Sequence, residues 1–181
     1  MEESLRKQAI PYRIYGGLSF YQRKEIKDVI AYLRLIINPN DEEALKRIIN
    51  VPARGIGDTT VNKVIEAAQL HQVSAWTILT DMLKYNLPVN AGTASKLVKF
   101  RDLIQNFATQ ISTLNAYELA DNVIKATGII ADQYDRSVEN LSRIDNIQEL
   151  LKAVFEFVNL KTNDGADFVS LPDFLSEVSL S

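Results

Sequence analysis

The spacing of apolar and polar positions along this chain is helical almost throughout. Ile26, Val29, Ile30, Leu33, Ile36 and Ile37 recur at steps that place them on one face of a helix, with Lys27, Asp28 and Arg34 off it. Asn38-Pro39-Asn40 breaks this helix. Asn40 with Glu43 predicts a capping box for a short helix over about 41–49, which buries Leu45, Ile48 and Ile49 until Val51-Pro52 ends it. A helix from about Asp58 to His71 turns Val61, Val64, Ile65 and Ala68 inward. Ser74 is the expected N-cap of a helix carrying Trp76, Leu79 and Leu83.

A loop at 84–92 precedes two longer stripes. Leu97, Phe100, Ile104, Phe107, Ile111 and Leu114 predict a helix ending near Leu114, and Ile144, Ile147, Leu151, Val154 and Val158 a second over about 137–159. The two stripes are expected to bury each other. Between them, Asn115 and Glu118 cap a helix that Gly128 ends. Residues 160–170 read as a polar loop, and Ser170-Leu171-Pro172-Asp173 opens a last short helix. At the N-terminus, residues 2–9 read as the end of a helix and residues 12–15 as a short strand stopped by Gly16-Gly17. A lone strand leaves its ladder hydrogen bonds unmade, so it reads as a piece of a larger sheet. The predicted fold class is all-α, a multi-helix domain with a sheet fragment at its start.

Composition narrows the chemistry. The chain has no cysteine, which excludes disulfides and thiolate metal sites, and its single His71 excludes histidine clusters. No apolar run approaches the ~20 residues of a membrane span, and the first residues do not resemble a signal peptide, which points to the cytoplasm. The net charge of −3 does not advertise a nucleic-acid partner, yet its distribution is uneven. Residues 1–63 carry 11 Lys and Arg against 8 Asp and Glu, while residues 64–181 carry 9 against 15.

The basic part contains the most informative motif, residues 54–65: Arg-Gly-Ile-Gly-Asp-Thr-Thr-Val-Asn-Lys-Val-Ile. Two glycines flank one aliphatic residue, and a helix follows. Gly55 and Gly57 permit positive φ and close approach of a phosphate to the backbone. Ile56 anchors the turn, and Arg54 and Lys63 flank it with charge. The helix start adds about half a positive charge. Such a turn grips phosphate without reading a base. The same pattern also describes a helix corner with no ligand. With the short helix before it, the motif forms a helix–hairpin–helix-like unit whose binding is independent of sequence and weakens with salt. Few phosphate contacts imply weak binding by the chain alone.

Other candidates are weaker. There is no Gly-x-x-x-x-Gly-Lys-Ser/Thr loop. Asp132 and Asp135 read as turn residues rather than a catalytic pair, and Asn163-Asp164-Gly165 as a turn rather than a calcium loop. Tyr12, Tyr15, Phe20 and Tyr21 surround Gly16-Gly17, where packing against the first long helix is favoured over a base-stacking platform.

Residues 11–35, Pro-Tyr-Arg-Ile-Tyr-Gly-Gly-Leu-Ser-Phe-Tyr-Gln-Arg-Lys-Glu-Ile-Lys-Asp-Val-Ile-Ala-Tyr-Leu-Arg-Leu, closely resemble a segment of the UvrD/PcrA/Rep family of superfamily 1 DNA helicases. So do Asn38-Pro-Asn-Asp, Leu45 and Arg47-Ile-Ile-Asn-Val-Pro-Ala-Arg-Gly-Ile-Gly. The resemblance is nearly gapless over roughly residues 10–65 and thins to a helical pattern beyond. It implies that residues 1–19 are the tail of the second RecA-like motor domain and a hinge, and that residues 20–181 are the inserted helical 2B domain. Phe20 to Asp28 would lie at that hinge. It assigns Arg54, Gly55, Ile56, Gly57, Thr59, Thr60 and Lys63 to the backbone of duplex DNA. It implies no cofactor in this chain, with ATP and Mg held elsewhere in a parent 3′→5′ ATP-dependent DNA helicase. The implied partners are duplex DNA, single-strand/duplex junctions, the motor domains and repair proteins. Two alternatives stand beside it: a protein-interaction or autoinhibitory module, and part of a recombination helicase–nuclease subunit.

Overall fold

The computed structural model describes residues 18–180. The strand expected at residues 12–15, its flanking glycines, Tyr12 and Tyr15 lie outside the described residues. Among the described residues nine helices follow one another: α1 (Leu18–Tyr21), α2 (Lys24–Ile37), α3 (Glu42–Ile48), α4 (Asp58–His71), α5 (Ala75–Thr80), α6 (Ala91–Ala108), α7 (Ala116–Thr127), α8 (Val138–Asn163) and α9 (Leu171–Leu180). Among the described residues there is no strand, so the all-α class holds.

Helix α2 is the axis of the molecule. It packs against α1, α3, α6, α7, α8 and α9. A helix so surrounded buries most of its length: Ile26, Val29, Ile30, Ala31, Tyr32, Leu33, Leu35 and Ile36 are all buried, while Lys24, Lys27 and Arg34 keep a narrow polar side. Two of its acids are buried as well. Asp28, expected off the apolar face, accepts from Arg47 Nε at 2.8 Å and pairs with Lys24 Nζ at 3.1 Å. Burial of a carboxylate requires such compensation. Glu25 accepts from Asn146 Nδ2 at 2.7 Å, and Asn146 Oδ1 accepts from Arg23 at 2.9 Å, tying the start of α2 to α8. Phe20 is buried and packs edge-on against Tyr21, so it is core rather than a stacking platform.

The two long helices do not chiefly bury each other. Both α6 and α8 pack on α2, and α8 takes α7 as its other main neighbour. Helix α6 also ends at Ala108 rather than near Leu114. The Thr109 hydroxyl donates to the Asn106 carbonyl at 2.6 Å, and the chain continues in turns closed by Gln110 N donating to Phe107 O and Thr113 N to Gln110 O. Short polar side chains that bond the backbone compete with helix in this way.

Local signals place most helix ends. Ser74 caps α5, Asn115 and Glu118 form a full capping box for α7, and Gly128 ends α7 with φ 71°. Ser170 and Asp173 bond each other's backbone reciprocally at the start of α9. The cap of α3 is Asp41, which accepts from Ala44 N at 3.0 Å, one residue later than Asn40. Asn40 instead donates its own N–H to Asn38 Oδ1. Leu83 lies past the end of α5 and is 92% exposed.

Candidate nucleic-acid interface

The glycine turn connects α3 to α4 through residues 49–57. The two helices make few direct contacts; α3 packs on α2, and α4 on α5. A cleft of about 440 Å³ opens between them, lined by Lys46, Arg47, Asn50, Ile56, Asp58 and Asn62 among others. The turn is therefore held by its own anchors.

Three of those anchors are visible. Ile56 is 1% exposed and plugs the turn into the core. Asn50 Oδ1 accepts from the N–H of Arg54 at 2.6 Å and of Ile56 at 3.2 Å. Arg54 is the third. Its Nη1 donates to the carbonyls of Ile48 (2.9 Å), Ile49 (3.0 Å) and Val51 (3.3 Å), the first two at the C-terminal end of α3. A guanidinium there satisfies orphan carbonyls and meets the negative end of the helix dipole. Its Nη2 donates to the Tyr32 hydroxyl, which in turn donates to Val51 O. The guanidinium lies 5.7 Å from the Tyr32 ring centroid and 5.2 Å from that of Phe100 on α6. Burial pushes the Tyr32 phenol above its ordinary pKa, and Arg54 opposes that rise. Arg54 was expected to face outward as a flank of charge; it turns inward because three carbonyls and two rings are there to receive it.

The outer side of the turn is different. Gly55 adopts φ 75°, the left-handed region where glycine carries no penalty. Gly57 does not need that freedom: it is extended, φ −81° and ψ 175°, and serves as the N-cap of α4. With no side chain it leaves the first amides of α4 uncapped, whereas α3, α5, α6, α7 and α8 each have a side-chain cap. The N–H groups of Gly55, Gly57, Asp58, Thr59 and Thr60 make no hydrogen bond within the described residues. Gly55, Gly57, Asp58 and Thr59 are exposed and Thr60 half-exposed. Lys63 follows on α4, half-buried and without an ion pair. Asp58 places a negative charge in the first turn of α4, which suits the dipole but opposes a second anion.

Of the seven expected residues, the structure thus gathers Gly55, Gly57, Thr59, Thr60 and Lys63 at one surface and turns the side chains of Arg54 and Ile56 inward. Sequence reasoning passed over Asn50, which organises the turn, and Lys96 of α6, whose side chain lies over Gly55. No local motif marks either one. Among the described residues no cluster could hold a metal ion, and no helix is long and apolar enough to cross a membrane.

Comparison with known proteins decides the family. The model of the UvrD-like helicase C-terminal domain matches residues 1–181. This chain belongs to that family. It is 35% identical over 181 residues to DNA helicase II of Salmonella typhimurium, covering 99% of this chain and 25% of that protein. DNA helicase II of Haemophilus influenzae is 37% identical over 182 residues, covering 99% and 24%. The ATP-dependent DNA helicase PcrA of Bacillus subtilis is 35% identical over 181 residues, again covering 99% and 24%. The chain therefore spans about a quarter of the length of these curated relatives. UvrD-like membership agrees with the resemblance carried by residues 11–35 and by the stretch that ends in the glycine turn.

Proposed function

We propose that residues 20–181 form the duplex-contacting 2B domain of a 3′→5′ ATP-dependent DNA helicase, and that residues 1–19 are the tail of its second RecA-like motor domain with a hinge. ATP and Mg bind in the motor of that parent, in the cytoplasm, and this chain alone neither hydrolyses ATP nor unwinds DNA. Its part is to hold the duplex backbone without reading sequence. The observation that carries this reading is the outer side of the glycine turn. Five successive or near-successive amides there have no internal acceptor, at the positive end of a 14-residue helix. Gly55, Gly57, Thr59, Thr60 and Lys63 form the contact, while Arg54 and Ile56 hold the turn in shape.

Gly57 provides the test. A Cβ at Gly57 meets nothing within 4 Å, and its backbone suits any residue. Gly57→Leu therefore leaves the fold intact and fills the space a phosphate would enter. Fluorescence anisotropy at low salt, with a labelled duplex bearing a single-stranded tail, should show weak binding by the wild-type chain and at least several-fold weaker binding by the variant. Equal binding by both removes the turn from the contact.

A protein-docking role is the second reading. Val138 and Leu141 near the start of α8, and Phe155 further along it, are exposed apolar side chains. Capture of a repair protein that survives Gly57→Leu but is lost on Phe155→Asp would favour it.

A further inference from the structure

Resting on the duplex reading above, we propose that Lys96 of α6 supplies the cation that completes the phosphate site at the Gly55 turn. Its side chain lies flat across that glycine. A Cβ built on Gly55 would stand 3.5 Å from Lys96 Cδ, 3.3 Å from Cε and 2.8 Å from Nζ. The ammonium thus occupies the side of the turn that any other residue at position 55 would fill. Gly55 serves two ends: it adopts φ 75°, and it leaves room for a cation from another helix.

The placement of Lys96 is built into the fold. Phe100 on α6 is 1% exposed and lies 5.2 Å from the Arg54 guanidinium, which fixes α6 against the turn. Lys96 stands four residues before Phe100, hence on the same face of α6. Leu97, buried beside it, sets the rotation of the helix. Nothing inside the protein engages the charge. Lys96 makes no ion pair or hydrogen bond within the described residues. By contrast Lys24, Lys46, Arg47, Arg101, Lys125 and Arg143 are each paired with a carboxylate. Arg54, the nearest cation in sequence, is occupied by carbonyls. Lys96 is itself exposed, so its ammonium stays open to an incoming anion. A phosphate lodged on the amides of Gly55 and Gly57 would meet this ammonium already in place. Three elements then share the anion: the turn, the start of α4 and the face of α6.

Two substitutions separate charge from packing. Lys96→Met keeps an apolar stem over Gly55 and removes the charge; Lys96→Arg keeps the charge. Both are titrated with the labelled tailed duplex across a series of salt concentrations, in the 181-residue chain, with thermal melts as a folding control. Lys96→Met should bind roughly three- to tenfold more weakly at low salt, and its slope of log K against log salt should be shallower by about 0.9, one phosphate contact fewer. Lys96→Arg should keep the wild-type slope. In a Gly57→Leu background, Lys96→Met should have little further effect, because both act on one phosphate. If Gly57→Leu weakens binding while Lys96→Met changes neither affinity nor slope, the assignment of Lys96 is overturned and the duplex reading stands. Full additivity of the two changes also overturns it, placing Lys96 on some other part of the DNA. If neither variant alters binding, the duplex reading fails and this assignment falls with it.

Discussion

At the scale of single residues, Arg54 shows how a charge beside a glycine turn comes to hold that turn in shape. Three carbonyls accept from one of its nitrogens, and two aromatic rings flank its plane. Lysine cannot reproduce a planar fork that bonds and stacks together. Arg54→Lys should cost about 2 kcal/mol in urea denaturation, the loss expected for charged hydrogen bonds left unmade, while the salt slope of duplex binding stays that of the wild type. A variant as stable as the wild type but several-fold weaker in duplex binding at low salt would return Arg54 to the DNA surface. Sequence alone could not decide this, since the acceptors come from the α3 end and the rings from α2 and α6. Tyr134 offers a second test. Its hydroxyl is buried without a hydrogen-bond partner, and burial, reinforced by Asp28 and Glu25, pushes its pKa up to about 12 from 10.0. The unfolded chain therefore ionises first. The stability tied to the neutral phenol is present below pH 10 and is lost as pH rises towards 12. Tyr134→Phe should raise stability by about 1 kcal/mol at neutral pH by removing an unpaired buried donor. It should also flatten the alkaline decline in melting temperature, leaving the share that Tyr32, shifted the same way, contributes in both proteins.

At the scale of elements, the informative object is the start of α4, which like that of α2 has no side-chain cap, whereas α3, α5, α6, α7 and α8 have one. The extended backbone of Gly57 already has the geometry of an N-cap, so a carboxylate there would bond the amides of the first turn. Gly57→Asp should stabilise the chain by a few tenths of a kcal/mol in thermal or urea unfolding. It should also weaken duplex binding roughly tenfold at low salt, because the same amides are taken and a negative charge is added. Opposite signs in the two assays are the expected signature of a helix start kept open for a ligand; a variant that gains stability and binds as before would show the amides idle. The elements themselves were largely legible, because capping rules are local: Ser74, Asn115 with Glu118, Gly128 and Ser170 all mark the ends where they stand. The failures have local causes too. Asp41 outcompeted Asn40 for the start of α3. Threonine hydroxyls halted α6 at Ala108 while the apolar period ran on to Leu114. Leu83 kept the rhythm of α5 after the helix had stopped, and so swung into solvent.

At the scale of the whole molecule, the sequence pattern named the long stripes but not what they face. Ile26 to Ile37 reads as a one-sided helix, yet α2 packs against six other helices and leaves only the side of Lys24, Lys27 and Arg34 open, and α6 and α8 meet it rather than chiefly each other. The candidate site shares this property. Gly55 and Gly57 were readable from their spacing; Asn50 is a local partner that no motif marks, and Lys96 joins them only once α6 is laid against the turn. The same arrangement changes the meaning of the charge count. By count, Lys and Arg exceed Asp and Glu in residues 1–63. In the fold, Arg54 is bound by carbonyls, Arg47 and Lys24 by Asp28, and Lys46 by Glu43. At the turn this leaves Lys63, together with Lys96, as unpaired cations beside the amides. Each lysine that neutralises a phosphate on duplex DNA adds about 0.9 to the salt slope. Two of them predict a slope of log K against log salt near −2, since amide contacts release no counterions of their own. Titration of a labelled duplex from about 50 to 200 mM salt measures it, and over that range affinity should fall by roughly a factor of ten. A slope of about −5 or steeper would mean that the duplex also recruits Lys27, Arg34 and Lys46, which line a separate groove of about 580 Å³ between α2, α3 and α9. The contact would then be a broad basic face, and the glycine turn one corner of it.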